Sequence, residues 1–157
     1  PLEQVVTEVA QVLEACGRAQ VPVVIYNASF DLPLLDHHLT RLGLPTIRER
    51  VEFLPVIDPL VLDRALDRYR RGKRTLGALA EFYQVRGEDN LHDALVDVRQ
   101  TIAVLRALGA AYPQLGQMDL RQLQDYQRDQ HREWAQHFNQ FLQSKGRNPD
   151  VNEEWLA

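Results

Sequence analysis

Apolar residues at Leu2, Val5, Val6, Val9, Val12, Leu13 and Cys16 recur at steps of three and four, the spacing of one face of an amphipathic helix. Gly17 helps to end it. Residues 21–25 break that rhythm with a short β-branched run, apolar on both faces, which predicts a buried parallel strand. A second helical pattern follows, with Phe30, Leu34, Leu35, His38 and Leu42 facing inward. Ser29 suits its N-cap, Pro33 falls within its first turn, and Gly43 and Pro45 stop it. Residues 53–57 form a weaker strand, because Pro55 removes a ladder hydrogen bond unless it stands at an edge or at the strand's start. Helices are expected over 60–69, 76–83 and 94–108.

This alternation of strand and helix predicts an α/β layer. Past Tyr112 and Pro113 the texture changes to a long Gln- and Arg-rich helix over 118–145. Its apolar stripe is thin: Leu120, Leu123, Trp134, Phe138, Phe141 and Leu142. The final "GRNPDVNEEWLA" reads as an extended tail. Residues 1–112 are therefore taken as the main body and 113–157 as a helical extension packed on it. Only two strand candidates occur, and a two-stranded sheet is marginal by itself. Either the sheet borrows strands, or part of the protein lies outside this chain.

A length of 157 residues suits one domain with a real core. The formal charge of −4 argues against a generally cationic nucleic-acid coat but leaves room for a local basic patch or an acidic cation site. A single cysteine, Cys16, excludes an internal disulfide and a Cys-based zinc cluster, and suits a reducing cytoplasm. No apolar run reaches the ~20 residues of a membrane span, so no membrane partner is expected.

Two short stretches carry candidate chemistry. In "VVIYNASFD" the chain passes from apolar to polar where a buried strand surfaces, and ends in Asp31. The C-terminal end of a parallel strand is where α/β proteins gather their chemistry. Asn27 and Asp31 can equally serve a strand–helix turn and a first helical turn, where acids are favoured. In "HDALVD" His92 and Asp97 stand five apart at the start of a helix, a pattern that capping alone also explains.

Together, "NASFD" and "HDALVD" resemble the second and third motifs of the DEDDh 3′–5′ exonucleases, the relatives of the polymerase epsilon subunit (DnaQ-like) with a ribonuclease H-like fold. The intervening "VIDPLVLDRAL" and "GKRTLGALAEFYQV" match that family's connecting segments in type and order. The tail "NEEWLA" is similar in style to extensions of actinobacterial and actinophage members. The resemblance implies the C-terminal portion of a central mixed sheet with flanking helices, followed by a long helix. It implies Asp31 and Asp97 as metal ligands, His92 as general base, and Mg²⁺ or Mn²⁺, two ions in a complete site. The implied substrate is nucleic acid with a free 3′ end, single-stranded DNA foremost, and a DNA polymerase subunit is an implied partner. The family's opening Asp-x-Glu motif is absent, since no Asp here has Glu two places on. The fold's first three strands are expected to be missing with it. Tyr26 also stands where many relatives carry His.

The physical logic supports the same roles. Phosphodiester hydrolysis needs a deprotonated water and neutralised charge on the leaving oxygen, and hard cations held by carboxylates supply both. A histidine titrates near neutrality, which suits proton abstraction. Asn27 can reach substrate from the strand end, and Phe30 can stack on a terminal base or belong to the core. The run Arg68-Tyr69-Arg70-Arg71-Gly72-Lys73-Arg74 is either a solvated turn or a phosphate contact through Arg71, Lys73 and Arg74. Asp58 can support the metal site or, preferably, cap the helix beginning at Pro59. Two other readings compete: a catalytically silent nucleic-acid-binding module on the same fold, and an all-α phosphohydrolase built on the His92–Asp93 pair. The strand at 21–25 counts against the second.

Overall fold

The computed structural model describes residues 1–85 and 94–157. Helix α1 (Leu2–Ala19) leads to strand β1 (Val23–Val24), helix α2 (Ala28–Arg41), the short α3 (Ile47–Arg50) and strand β2 (Val56–Ile57). Helices α4 (Pro59–Leu66), α5 (Leu76–Phe82) and α6 (Ala94–Ala111) follow, then a 3₁₀ turn (Pro113–Gln117) and the long α7 (Leu120–Ser144).

The two strands are parallel, with Val23 opposite Val56 and Val24 opposite Ile57. The ladder continues beyond them: the Val23 N–H donates to the Pro55 carbonyl and the Ile25 N–H to the Ile57 carbonyl. Pro55 thus stands at the strand's start and offers only its carbonyl, the one place it costs nothing. The sheet separates two cores. Val56 packs with α1, α2 and α3, while Ile57 and Tyr26 pack with α5, α6 and the start of α7. Opposite faces of one strand feed opposite layers because successive side chains alternate.

The outer edge of β2 is closed without a strand. The Gln124 side chain accepts the Val56 N–H at 2.8 Å and donates to the Leu54 carbonyl at 3.1 Å. One turn along α7, Gln127 accepts the Asp58 N–H at 2.7 Å and donates to the Val56 carbonyl at 2.9 Å. Two amides at i and i+3 on a helix thereby reproduce the bonding of a neighbouring strand. The alternation of a parallel strand turns the Val24 N–H and C=O toward the other edge of the sheet, where no strand lies among the described residues.

Several expectations need correction. Helix α1 runs through Gly17 to Ala19 and ends at Gln20 in the left-handed conformation (φ 55°). Gly17 serves close packing instead: a Cβ there would lie 3.0 Å from Val51 Cγ2 and 3.1 Å from the Phe53 carbonyl oxygen. The apolar arc of α1 is wider than the layer it covers. Val6, Ala10, Leu13 and Gly17 are buried, whereas Leu2, Val5, Val9 and Val12 are exposed. Helix α2 starts two residues earlier than Ser29 allows, with Asn27 as its cap, so Pro33 sits in the second turn. Its buried face is Ala28, Leu32 and Leu39, with Leu35 packed beside them; Phe30, Leu34 and Leu42 are exposed. The tail folds back, and Trp155 enters the core shared by α1 and α2 at 2% exposure.

The edge closure by α7 has a measurable consequence. Gln127→Leu keeps the volume roughly constant but strands the Asp58 N–H and the Val56 carbonyl. We expect a loss of about 2–6 kcal/mol, since each of the two buried unsatisfied groups costs about 1–3 kcal/mol. Urea denaturation should show a lower midpoint at unchanged slope; an unshifted midpoint would mean the edge finds other partners.

Candidate active site

Strand β1 delivers the chain to Tyr26 and Asn27. Asn27 takes the left-handed conformation (φ 64°), which Asn tolerates better than other non-glycine residues, and this turn directs Ala28 straight into α2. The turn is fixed from β2. The fully buried Asp58 carboxylate accepts the Asn27 N–H at 3.0 Å, the Ala28 N–H at 2.8 Å and the Leu60 N–H at 3.0 Å. It therefore caps α4, as the sequence suggested, and ties down the start of α2 as well. Burial pushes the Asp58 carboxyl above the usual carboxylate range, and these three N–H groups pull it back. The Trp155 side chain also favours the charged form, although its buried indole N–H makes no hydrogen bond of ordinary geometry.

On this rigid exit the candidate residues are placed as follows. Asp31 lies in the first turn of α2 and is exposed at its surface, yet partial desolvation raises its carboxyl above the ordinary value. Phe30 beside it is 63% exposed, available to solvent and not part of the core. The Asn27 side chain is exposed too and accepts a hydrogen bond from the Ser29 hydroxyl at 3.3 Å. Asp97 lies in the first turn of α6, exposed, with its carbonyl held by the Thr101 hydroxyl at 2.8 Å. His92 and Asp93 lie outside the described residues. Among the described residues no group of three or more His, Cys, Asp or Glu is gathered to hold a metal ion. Asp31 and Asp97 suit a hard cation in chemistry and exposure, but two carboxylates are an incomplete set.

A protein-family model described as Exonuclease matches residues 2–105. The chain belongs to this exonuclease family. No curated protein and no solved structure matches it. The matched span holds Asn27, Phe30, Asp31, Asp58, His92 and Asp97; α7 and the tail lie beyond it.

The basic turn of this family member divides into two kinds of cation. Arg71 and Lys73 are exposed. Arg74 is drawn inward, where it pairs with the fully buried Asp63 and donates to the Asp63 carbonyl at 3.3 Å and the Arg70 carbonyl at 3.1 Å. Arg70 pairs with the same carboxylate, and the Tyr83 hydroxyl donates to it at 2.8 Å. The Tyr26 hydroxyl donates to the Arg74 carbonyl, which links the turn to the residue preceding Asn27. Burial first, and then the nearby Asp63 and Asp58, keep the Tyr26 phenol from ionising. Sequence reasoning did not anticipate the second duty of Asp58 or the contribution of Gln127. The spacing of Gln124 and Gln127 is a signal only to a reader who already knows that α7 lies along β2.

The state of Asp31 can be read without any activity. Its folded pKa is raised, so its contribution to stability is fully present below the unfolded value of about 3.9 and is lost as pH rises through the folded value. Asp31→Asn cannot ionise. In chelator it should melt slightly above the wild type at pH 7, with the gap closing as pH falls toward 4. A variant less stable than wild type at pH 7 would show that the carboxylate is stabilised, not strained, at this position.

Proposed function

We propose that this exonuclease removes nucleotides from the 3′ end of a nucleic-acid strand in a reaction that depends on divalent cations. The observation that carries the reading is the fixed strand exit. Asn27, Phe30 and Asp31 are all exposed where β1 passes into α2, at a turn whose backbone is locked at Asn27 and Ala28 to the buried Asp58.

Asp31 and Asp97 would hold Mg²⁺ or Mn²⁺, which supplies charge neutralisation and a more acidic water. A cation beside Asp31 would favour its charged form, which partial desolvation disfavours. His92 takes the proton of the attacking water, a task suited to a side chain that titrates near neutrality. Asn27 hydrogen-bonds substrate at the strand end, and the exposed Phe30 ring offers a face to the terminal base. In this reading the open edge of β1 and the bare half of the α1 apolar arc accept further strands, which bring the remaining carboxylates. A single strand of DNA with a free 3′ end suits the site, and proofreading beside a polymerase or repair are the roles it fits.

The test separates a working enzyme from a silent binding module. With the intact protein and a 5′-labelled strand, EDTA should abolish turnover and Mg²⁺ or Mn²⁺ should restore it. Asp31→Ala and Asp97→Ala should each lower turnover by at least ~10²-fold with the fold retained. His92→Ala should depress turnover far more than affinity and erase the limb of the pH profile near ~6–7.5. Full activity in chelator, or unchanged turnover in either Asp variant, would overturn the metal mechanism; no turnover with either cation would move the chain to the silent class.

A further inference from the structure

Helix α7 turns one flank toward β2 and another toward the basic turn. Along that second flank, between α7 and the segment from α4 to Arg74, runs a groove of about 920 Å³. Its α7 wall is an aromatic ladder at steps of four and three. Trp134 and Phe138 lie 5.5 Å apart with planes inclined by 12°, and Phe138 and Phe141 lie 6.1 Å apart at 28°. Phe138 is 38% and Phe141 50% exposed, so part of each ring meets solvent.

Cations accompany the ladder. The Arg64 guanidinium lies 3.7 Å from the centre of the Trp134 ring, and the Lys145 ammonium 5.7 Å from that of Phe141. Arg68 reaches across the groove to Glu133 at 2.8 Å and His137 at 2.9 Å, which neutralises the one carboxylate among its lining residues. Exposed Arg71 and Lys73 continue the positive charge along the turn. This local excess stands in a chain of net charge −4. Aromatic rings with exposed cations beside them complement a strand of stacked bases and phosphates, whereas an apolar partner helix would bury the exposed Arg71 and Lys73 beside it.

We propose that this groove binds single-stranded nucleic acid, with bases stacked on Phe138 and Phe141 and phosphates held at its basic-turn end by Arg71 and Lys73, which flank the lining residue Gly72. The Tyr26–Arg74 hydrogen bond joins the basic turn to the strand exit that carries Asn27 and Asp31. A strand lying in the groove is thereby led toward its 3′ terminus at the site, a direction that rests on the exonuclease reading. The groove's α7 wall lies outside the matched family span.

The experiment measures binding of the intact protein to a 5′-fluorescein-labelled single-stranded 20-mer by anisotropy, in EDTA, so that no cleavage intervenes. Because Phe138 and Phe141 are exposed, their variants should fold, and melting curves check this. The double variant Phe138→Ala/Phe141→Ala should bind at least ~10-fold more weakly, as expected for two lost stacking partners. Phe138→Leu/Phe141→Leu should be equally weak, and Phe138→Tyr/Phe141→Tyr should bind within ~3-fold of wild type, because stacking needs a π-face and not merely apolar area. Arg71→Gln/Lys73→Gln should flatten the salt dependence by up to ~1.4, at ~0.7 for each lost phosphate contact. Binding within twofold of wild type in the Ala pair, or retained by the Leu pair, would overturn the proposal; the latter would mark an apolar face for a protein partner. Neither outcome bears on the metal site. Loss of turnover in Asp97→Ala beside unaltered binding in the Ala pair would sink the groove alone. Chelator-resistant turnover beside weakened binding in that pair would sink the mechanism alone.

Discussion

The Asp58 carboxylate is the point from which the rest of the arrangement follows. Fully buried, it gathers N–H groups from the start of α2 and the start of α4, and its own N–H goes to Gln127 of α7. A buried carboxylate without partners would cost several kcal/mol and would protonate; with three backbone donors it becomes a joint between helices that share no sequence proximity. The left-handed turn at Asn27 is affordable because Asp58 takes up the two N–H groups that the turn turns inward. Asp31 inherits its position from that joint, one helical turn further on.

The sheet shows the same economy of partners. A helix normally covers a sheet's face, yet α7 also closes its edge, using Gln124 and Gln127 in place of a strand. The sheet is thereby stopped on the β2 side, and among the described residues no strand lies on the β1 side. The exposed halves of α1 and α6, with Val9 and Val12 on one and Val98 and Ile102 on the other, belong to the helices that lie on either side of the two-stranded sheet.

Much of this was legible in the sequence. The change of period at residue 21 and the β-branched composition of 23–25 mark β1, and Pro55 marks the start of β2. Asp31 and Asp97 fall in the first turns of α2 and α6, as their motifs suggest. What escaped depends on partners and not on periodicity. An apolar arc does not say which half will be covered, so Phe30 and Leu34 were assigned inward and are exposed. A glutamine on a polar helix reads as surface, so Gln127 gave no sign that it would be fully buried. Trp155 sits in a tail with Pro, Gly and Asn, and its place in the core follows only from the path of the chain back along α7. The four-residue α3 is set by the reciprocal caps of Thr46 and Glu49, a signal too short to stand out.

The proposed function reduces to one statement: the strand is consumed from its 3′ terminus at the exit of β1. The direct measurement is the product pattern of the intact protein with Mg²⁺ on a 5′-labelled single strand, beside the same strand with a blocked 3′ end and a circular strand. The account predicts a ladder of progressively shorter labelled products from the free strand, and survival of the blocked and circular ones. Cutting of the circle, or release of the 5′ label as a mononucleotide before any ladder forms, would contradict it.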